Sequence, residues 1–246
     1  MKICDGVYLV GSGAVGLSHE FDCHVYLLDG GDELALVDAG AGVESERILA
    51  NIEAEGFDPA KIERILLTHA HPDHAGGAAC LAAATGAKVL SSAPEARLAR
   101  EGTDEELGLA IGKADGGYSP AYTFTHVEAE ELADGAKITI GNLTVRALVT
   151  PGHSLASVCY LVEVTGRTCL FSGDTVFING LVGLLNCPGC NLEEYRRSIN
   201  KFVDLGVDAL LPGHHLFTIA GGQTHLDRAI ARFKSIQLPA YIGLAG

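Results

Sequence analysis

Residues 68–77 read Thr-His-Ala-His-Pro-Asp-His-Ala-Gly-Gly and follow the apolar run Ile65-Leu66-Leu67. Three imidazoles and one carboxylate fall within six residues of this stretch, from His69, His71, Asp73 and His74. Groups this polar at the end of an apolar run are costly if they are buried without partners, and a bound metal ion satisfies them. The stretch therefore predicts the first half of a metal site, which the rest of the chain should complete.

Three more ligand-type residues each follow an apolar run and a glycine, namely His153, Asp174 and His214. Because glycine allows a sharp turn, each side chain can leave the end of a strand and enter a shared cleft. Seven candidate ligands are too many for one tetrahedral ion, and they suit two ions that share a carboxylate and keep positions open for water. None is a thiolate, so we predict two divalent ions, Zn²⁺ first, with iron and manganese as the alternatives.

Composition and charge limit the partners. The 246 residues include 17 Lys and Arg against 31 Asp and Glu, a formal net charge of −14, and no basic run stands out. Nucleic-acid binding needs a positive surface, so a small-molecule substrate is expected instead. No apolar run approaches the ~18 residues of a membrane span, and no signal peptide is evident at the N-terminus, so no membrane partner is expected. Seven scattered cysteines favour a reducing, cytoplasmic location, and a homodimer is the default expectation for the assembly.

Short apolar runs punctuated by glycine predict strands at residues 7–10, 24–28, 34–37, 65–67, 88–92, 137–140, 143–149, 158–164, 167–171 and 209–211. Helical patterns occupy residues 44–56, 75–84, 94–101, 191–205 and 223–236, and residues 102–125 are predicted as a partly helical connector. Hairpin clusters alternating with helices predict an α/β fold, a four-layer αββα sandwich of two mixed β-sheets with outer helices. With no linker in the sequence, residues 1–246 are expected to form a single domain of two similar halves that meet near 120–130.

The ligand pattern resembles the metallo-β-lactamase superfamily over nearly the whole chain. The resemblance is carried by residues 68–74, by the three later ligands, and by Asp38, which matches the acidic residue that the family places at its first strand end. It implies the metallo-β-lactamase fold, with one metal on His69, His71 and His153, the other on Asp73, His74 and His214, and Asp174 bridging them. Asp38 would lie behind the ligands and fix a histidine tautomer.

The same resemblance implies hydrolysis by a hydroxide that bridges the two metals. Coordination lowers the pKa of water from ~15.7 toward ~7, so hydroxide is available at neutral pH and can attack a polarised carbonyl. Asp73 is the expected catalytic residue, which orients the nucleophile or relays its proton to the leaving group.

Within the superfamily, the pattern favours a glyoxalase II-like thioesterase or a lactonase, cleaving a thioester, lactone or related ester. Asp174 departs from the true β-lactamases, and the full second set of ligands argues against a mononuclear iron enzyme. An iron-dependent persulfide dioxygenase stays as an alternative, with Cys187-Pro-Gly-Cys190 as its thiol partner. β-Lactamase or phosphodiesterase activity on the same scaffold is a further alternative.

The substrate pocket is expected beside Asp174. Residues 175–186 are apolar and contain no Lys or Arg, so they suit an acyl chain or a neutral ring. Phe177 and His24 are the candidate substrate-binding residues, and His215 is expected to be a bystander. Basic residues of the terminal helix bind glutathione in glyoxalase II enzymes, and here that helix offers Arg228, Arg232 and Lys234, which are equally compatible with ordinary surface charges.

Overall fold

The computed structural model describes residues 1–242. The first sheet runs in sequence order from β1 to β7, and its strands are β1 (Lys2–Cys4), β2 (Val7–Gly11), β3 (Val25–Asp29), β4 (Leu34–Val37), β5 (Ile62–Leu66), β6 (Lys88–Ser92) and β7 (Ala129–Leu132). Strands β1 to β4 pair antiparallel and β4 to β7 pair parallel, which makes the sheet mixed.

The second sheet has the strand order β13-β11-β10-β9-β8. Its strands are β8 (Lys137–Ile140), β9 (Leu143–Val149), β10 (Val158–Val164), β11 (Arg167–Gly173) and β13 (Ala209–Pro212). Only β11 and β13 pair in parallel. A separate two-stranded parallel sheet joins β12 (Val182–Gly183) to β14 (Tyr241–Ile242).

Seven α-helices lie within residues 1–242, and most of them cover the outer faces of the two large sheets. They are α1 (Ser45–Ala54), α2 (Pro72–Ala75), α3 (Ala78–Thr85), α4 (Ala93–Glu101), α5 (Leu109–Ala114), α6 (Leu192–Ser198) and α7 (Gly222–Phe233). Short 3₁₀ turns lie at Pro59–Lys61, Ile178–Gly180 and Ile199–Phe202. No α-helix within residues 1–242 is both long and apolar enough to cross a lipid bilayer.

Three apolar layers define the sandwich. The central layer joins the facing sides of the two sheets, for example Val37 of β4 and Val162 of β10. A second layer packs α1, α3 and α4 on the first sheet, and a third packs α6 and α7 on the second sheet. The predicted αββα sandwich is therefore confirmed, and it follows from strands that are apolar on both faces and helices with one apolar face.

Two buried tyrosines link the sheets next to the ligand loops. Tyr26 of β3 donates a hydrogen bond to the carbonyl of Pro212 at the end of β13, at 2.8 Å. Tyr160 of β10 donates to the carbonyl of Leu67 after β5, also at 2.8 Å. Each tyrosine hydroxyl contacts the backbone of the opposite sheet where a ligand-bearing loop begins. Each hydrogen bond therefore gives a buried hydroxyl its partner and also fixes the separation of the loops.

Several predicted boundaries differ from the structure. The helix expected at 75–84 is divided into α2 and α3 at Gly76-Gly77, where the backbone passes too close to residues 39–41 to leave room for a side chain. The helix at 191–205 is α6 followed by a 3₁₀ turn, and the terminal helix ends at Phe233. Strands β1, β7, β12 and β14 were not predicted. The division of the chain into two similar halves stays a prediction.

Candidate metal centre

All the predicted ligands lie at one edge of the sandwich. Asp38 follows β4, the histidine stretch follows β5, His153 follows β9, Asp174 follows β11 and His214 follows β13. Parallel strands have their carboxyl ends at the same edge, so β4 with β5, and β11 with β13, deliver their loops to one place. The chain thus brings together groups that are up to 176 positions apart, from Asp38 to His214.

Glycine is required before two of these ligands. Gly173 has a φ of +48°, and a β-carbon there would lie 2.7 Å from the side chain of Thr68. A β-carbon at Gly213 would lie 2.5 Å from the ring of His74. Both glycines therefore allow the strand ends of the second sheet to approach the histidine stretch of the first sheet.

Three histidines form one half of the centre, called here the three-histidine site (His69, His71 and His153). Nε2 of His153 lies 3.2 Å from Nε2 of His69 and 3.1 Å from Nδ1 of His71. All three side chains are buried. The three nitrogens are close enough to bind one ion together.

Contacts behind two of these rings determine which nitrogen carries the proton. Nδ1 of His153 lies 2.9 Å from the carbonyl of Gly183, which can only accept, so this nitrogen is protonated. Nδ1 of His69 lies 2.9 Å from Oγ1 of Thr68, whose own proton goes to the Asp38 carboxylate at 2.9 Å. Both Nε2 atoms therefore direct lone pairs inward, where a cation would relieve their mutual repulsion.

The other half is called here the carboxylate site (Asp73, His74 and His214). Nε2 of His214 lies 3.0 Å from Oδ2 of Asp73 and 3.1 Å from Nε2 of His74. Nδ1 of His74 donates to Oδ2 of Asp38 at 2.8 Å, which leaves its Nε2 facing the cleft. These three side chains also form a set that can hold a metal ion.

Asp174 lies between the two sites. Its Oδ1 is 3.4 Å from Nε2 of His74, and its Oδ2 is 3.7 Å from Nε2 of His153 and 3.7 Å from Nε2 of His214. Oδ1 is buried and has no hydrogen-bond partner among the described residues. A buried carboxylate oxygen without a partner is costly, and a bound cation at this position would satisfy it. The donor set therefore fits two divalent ions.

Charge differs between the two sites. Burial lowers the pKa of His71 to about 3 and lowers the pKa values of His69 and His153, so these rings are neutral. Burial also opposes charge on His74 and His214, but neighbouring acidic groups outweigh it and raise both pKa values. The three-histidine site thus consists of neutral rings, whereas the carboxylate site contains charged side chains.

The two acidic ligands are ionised in this environment. Burial favours the neutral form of Asp174 and Asp73, but the surrounding imidazoles outweigh burial and hold both pKa values below the usual range. The largest favourable contribution comes from His214 at Asp174 and from His74 at Asp73. Carboxylates that stay ionised are ready to bind a cation.

Asp38 lies behind the predicted ligands and contacts His74 and Thr68. It is 1 % exposed and has a φ of +62°, an unusual backbone conformation for this residue type. Its Oδ1 accepts from the backbone N–H of Thr68 at 2.7 Å, and its Oδ2 accepts from His74 and from the Thr68 hydroxyl. One carboxylate therefore orients a ring of each site.

The two candidate substrate-binding residues are placed differently. Phe177 is 2 % exposed and lines a small cavity beside Asp174 and His214, together with Gly183, Leu185, His215 and Ile242. His24 does not line that cavity. Its Nε2 donates to the carbonyl of His215 at 2.8 Å, so its Nδ1 accepts from Ser12 at 2.9 Å. Substrate contact by His24 stays a prediction, while its observed contacts brace the loop that carries His214.

Three contacts with the ligand stretch were missed from the sequence. The hydroxyl of Tyr118 donates to Oδ1 of Asp73 at 3.2 Å, Sγ of Cys187 lies 3.8 Å from Nε2 of His71, and Glu95 accepts from the N–H of Ala70 at 2.9 Å. No motif precedes Tyr118 or Glu95, so only long-range packing reveals them. All seven cysteines are free, including Cys187 and Cys190.

The two arginines of the terminal helix have partners inside the chain, and Lys234 lies just beyond the end of α7. Arg228 donates to Oδ1 of Asn179 at 2.7 Å, and Arg232 donates to the carbonyl of Gly180 at 2.7 Å. Both guanidinium groups therefore fasten the 3₁₀ turn that follows Phe177. These contacts favour the interpretation in which Arg228 and Arg232 are structural charges.

Comparison with known proteins identifies relatives with hydrolytic activities. The chain is 33 % identical over 192 residues to an atrochrysone carboxyl ACP thioesterase of Aspergillus fumigatus, covering 78 % of this chain and 50 % of that protein. It is 35 % identical over 159 residues to a hydroxyacylglutathione hydrolase of Anaeromyxobacter dehalogenans, covering 65 % and 48 %. The chain thus spans about half the length of these curated relatives.

Solved structures share the fold. A metallo-β-lactamase of Cronobacter sakazakii superposes with a TM-score of 0.70 at 28 % identity, covering 93 % of this chain and 90 % of that one. A subclass B3 metallo-β-lactamase of Bradyrhizobium japonicum gives 0.68 at 26 % identity, covering 87 % and 76 %. The family model described as the metallo-beta-lactamase superfamily matches residues 20–214. The chain therefore belongs to the metallo-β-lactamase superfamily.

Proposed function

We propose that this superfamily hydrolase binds two divalent metal ions and cleaves a thioester whose acyl part is apolar. The buried Oδ1 of Asp174 carries the proposal, because it has no hydrogen-bond partner within residues 1–242 and lies between two sets of converging ligand atoms. Zinc is the first choice because the ligands are imidazoles and carboxylates, with iron and manganese as alternatives.

The assignment of ligands follows the two sites. The three-histidine site would hold one ion and the carboxylate site the other, with Asp174 contributing to both. When bound, such ions supply an activated water nucleophile at neutral pH and a Lewis acid for the carbonyl oxygen. Asp38 then keeps His69, through Thr68, and His74 in the tautomers that ligand binding needs.

Asp73 is proposed to orient the nucleophile near the reacting atoms. Its Oδ2 contacts His214, while its Oδ1 accepts from the Tyr118 hydroxyl at 3.2 Å. Because its pKa is held low by the neighbouring imidazoles, Asp73 is ionised at neutral pH and orients a proton donor in the cleft. Tyr118 limits the rotation of this carboxylate.

The side chains that line the small cavity beside the ligands favour an apolar acyl group over a charged one. Its walls include Phe177, Leu185 and Ile242, and the two nearby arginines of α7 are engaged with residues 179–180. An acyl chain or neutral ring therefore fits better than the charged glutathione tripeptide. A thioester is proposed because two similar proteins are named thioesterase and hydroxyacylglutathione hydrolase.

Metal content and a substrate panel test the proposal together. Protein loaded with zinc should hold two equivalents and should hydrolyse acyl thioesters of N-acetylcysteamine, faster with apolar acyl groups than with charged ones of the same length. S-lactoylglutathione, lactones, phosphodiesters and β-lactams complete the panel. Faster turnover of lactones than of thioesters would show that the protein is a lactonase and not a thioesterase. One bound iron with oxygen uptake on glutathione persulfide would overturn the hydrolase proposal in favour of a dioxygenase.

A further inference from the structure

A buried carboxylate outside the ligand set contacts both loops of the three-histidine site. Glu95 lies in the first turn of α4 and is 1 % exposed. Its Oε2 accepts from the N–H of Ala70 at 2.9 Å, and Ala70 stands between His69 and His71. Its Oε1 accepts from the hydroxyl of Ser154 at 2.7 Å, next to His153, and from the N–H of Ala156 at 2.8 Å. One side chain thus joins the two loops that supply the three histidines.

The junction between β6 and α4 makes further contacts with the same loops. Ser91 donates to the carbonyl of Leu67 at 2.9 Å, just before the histidine stretch. Ser92 donates to the carbonyl of Ala156 at 2.6 Å, in the loop of His153. Together with Glu95, these residues form a brace, the β6–α4 brace (Ser91, Ser92 and Glu95). The brace is fixed to the sheet, so it limits the relative movement of the two loops.

We propose that Glu95 is a positioning residue that raises the metal affinity of the three-histidine site and leaves the carboxylate site almost unaffected. The inference rests on the proposed function, because it assumes that the three histidines bind an ion. Glu95 acts through Ala70 and Ser154, and it is not itself a ligand.

The carboxylate is suited to this task because it accepts hydrogen bonds through both oxygens. Three donors converge on it from two loops, and each bond from a buried donor is costly to lose. An amide at this position has only one oxygen, so its NH₂ group would face a donor on one of the two loops. The isosteric change therefore breaks one side of the brace without creating a cavity.

Selectivity follows from how the carboxylate site is held. Its ring of His74 is oriented by Asp38 at 2.8 Å. The loop of His214 is braced by His24, which donates to the carbonyl of His215 at 2.8 Å. Neither contact passes through Glu95. Disturbing Glu95 therefore acts first on the three-histidine site.

The test uses Glu95→Gln in two single-site backgrounds. His214→Ala removes a ligand of the carboxylate site, and His153→Ala removes a ligand of the three-histidine site. Zinc affinity is measured by competition with a chromophoric chelator. We expect Glu95→Gln to weaken zinc binding by about tenfold or more in the His214→Ala background and by less than about twofold in the His153→Ala background, since partners behind metal ligands typically change affinity by ~10–100-fold.

Controls separate positioning from general damage. Glu101→Gln makes the same chemical change at the exposed end of α4 and should leave both affinities unchanged. Thermal unfolding of the metal-free variants reports the fold. If Glu95→Gln does not fold, Ser154→Ala removes one of the three donors and should still weaken the three-histidine site selectively.

Two results would overturn the inference. Equal losses at both sites would show a merely structural role, and unchanged affinity at the three-histidine site would show that the brace is not needed. Neither result touches the proposed function, which fails if the unmodified protein binds no metal pair or does not hydrolyse the acyl thioesters of the panel.

Discussion

The two halves of the candidate metal centre consist of side chains that differ in charge. The three-histidine site consists of neutral rings whose pKa values are lowered by burial. Two of its rings are oriented by uncharged oxygens, those of Thr68 and Gly183. The carboxylate site contains Asp73 and two imidazoles whose pKa values are raised by acidic neighbours. One edge of the sandwich thus holds a group of neutral side chains directly beside a group of charged ones.

Asp174 joins the two halves, so its removal should have the largest effect. With Asp174→Ala, both sites lose a shared carboxylate, and we expect loss of one metal equivalent and a fall in kcat/KM of about a hundredfold or more. Metal analysis and kinetics on a thioester measure the two effects. Asp5→Ala, at an exposed carboxylate paired with Lys2, is the matched control. Full activity with a single metal would contradict the shared role.

Asp38 orients a ring in each half, which makes it the next test. Asp38→Asn replaces one accepting oxygen by a donor, so either His74 or Thr68 loses its acceptor. We expect zinc affinity to fall by about 10–100-fold, more at the carboxylate site, where the contact is direct. Chelator competition for zinc in the His214→Ala and His153→Ala backgrounds measures the affinity of each site separately. Equal affinity for zinc in the variant and the parent would show that the tautomers are fixed by other contacts.

His24 contacts the loop that carries His214, so its protonation tests how that half of the centre is held. Burial lowers its pKa to about 4 from an ordinary value of 6.5. Between these two values the His24 ring of the unfolded chain binds a proton and that of the folded protein does not. The contribution of neutral His24 to the free energy of unfolding is therefore complete above pH 6.5 and is lost as the pH falls toward 4. The contribution amounts to about 3 kcal/mol across that window. Urea unfolding between these limits should be less dependent on pH in His24→Asn than in the parent, and equal slopes would show that His24 does not contribute.

Tyr118 should give the smallest effect, confined to the carboxylate site. Tyr118→Phe removes the hydroxyl that donates to Asp73 while keeping the ring, so we expect a fall in kcat of about fivefold from one lost hydrogen bond. Metal content should not change. Tyr122→Phe is the control, because its hydroxyl donates to the carbonyl of Ala41 and does not touch a ligand. A large loss of metal in Tyr118→Phe would instead assign the tyrosine to metal binding.

Much of the architecture could be predicted from local patterns. Alternation of apolar runs, glycines and helical segments was sufficient for the αββα sandwich, because those patterns depend on burial of each element's own faces. The strands β1, β7, β12 and β14 were missed because each has only two to four residues and forms only where a neighbouring strand pairs with it. Division of the helix at Gly76-Gly77 depends on the distant residues 39–41, which no local pattern encodes.

The sequence by itself determined the ligand chemistry of this protein. Three imidazoles and a carboxylate within residues 69–74, and an imidazole or carboxylate after each of three glycines, are side chains of the kind that bind divalent metals. Only the tertiary structure decided which ring nitrogen faces the cleft, since that depends on Asp38, Thr68 and Gly183. It also decided that Glu95 joins two ligand loops and that Arg228 is held by Asn179. The physical reason is that ligand identity is carried by single side chains, whereas orientation and charge arise from partners that only packing brings together.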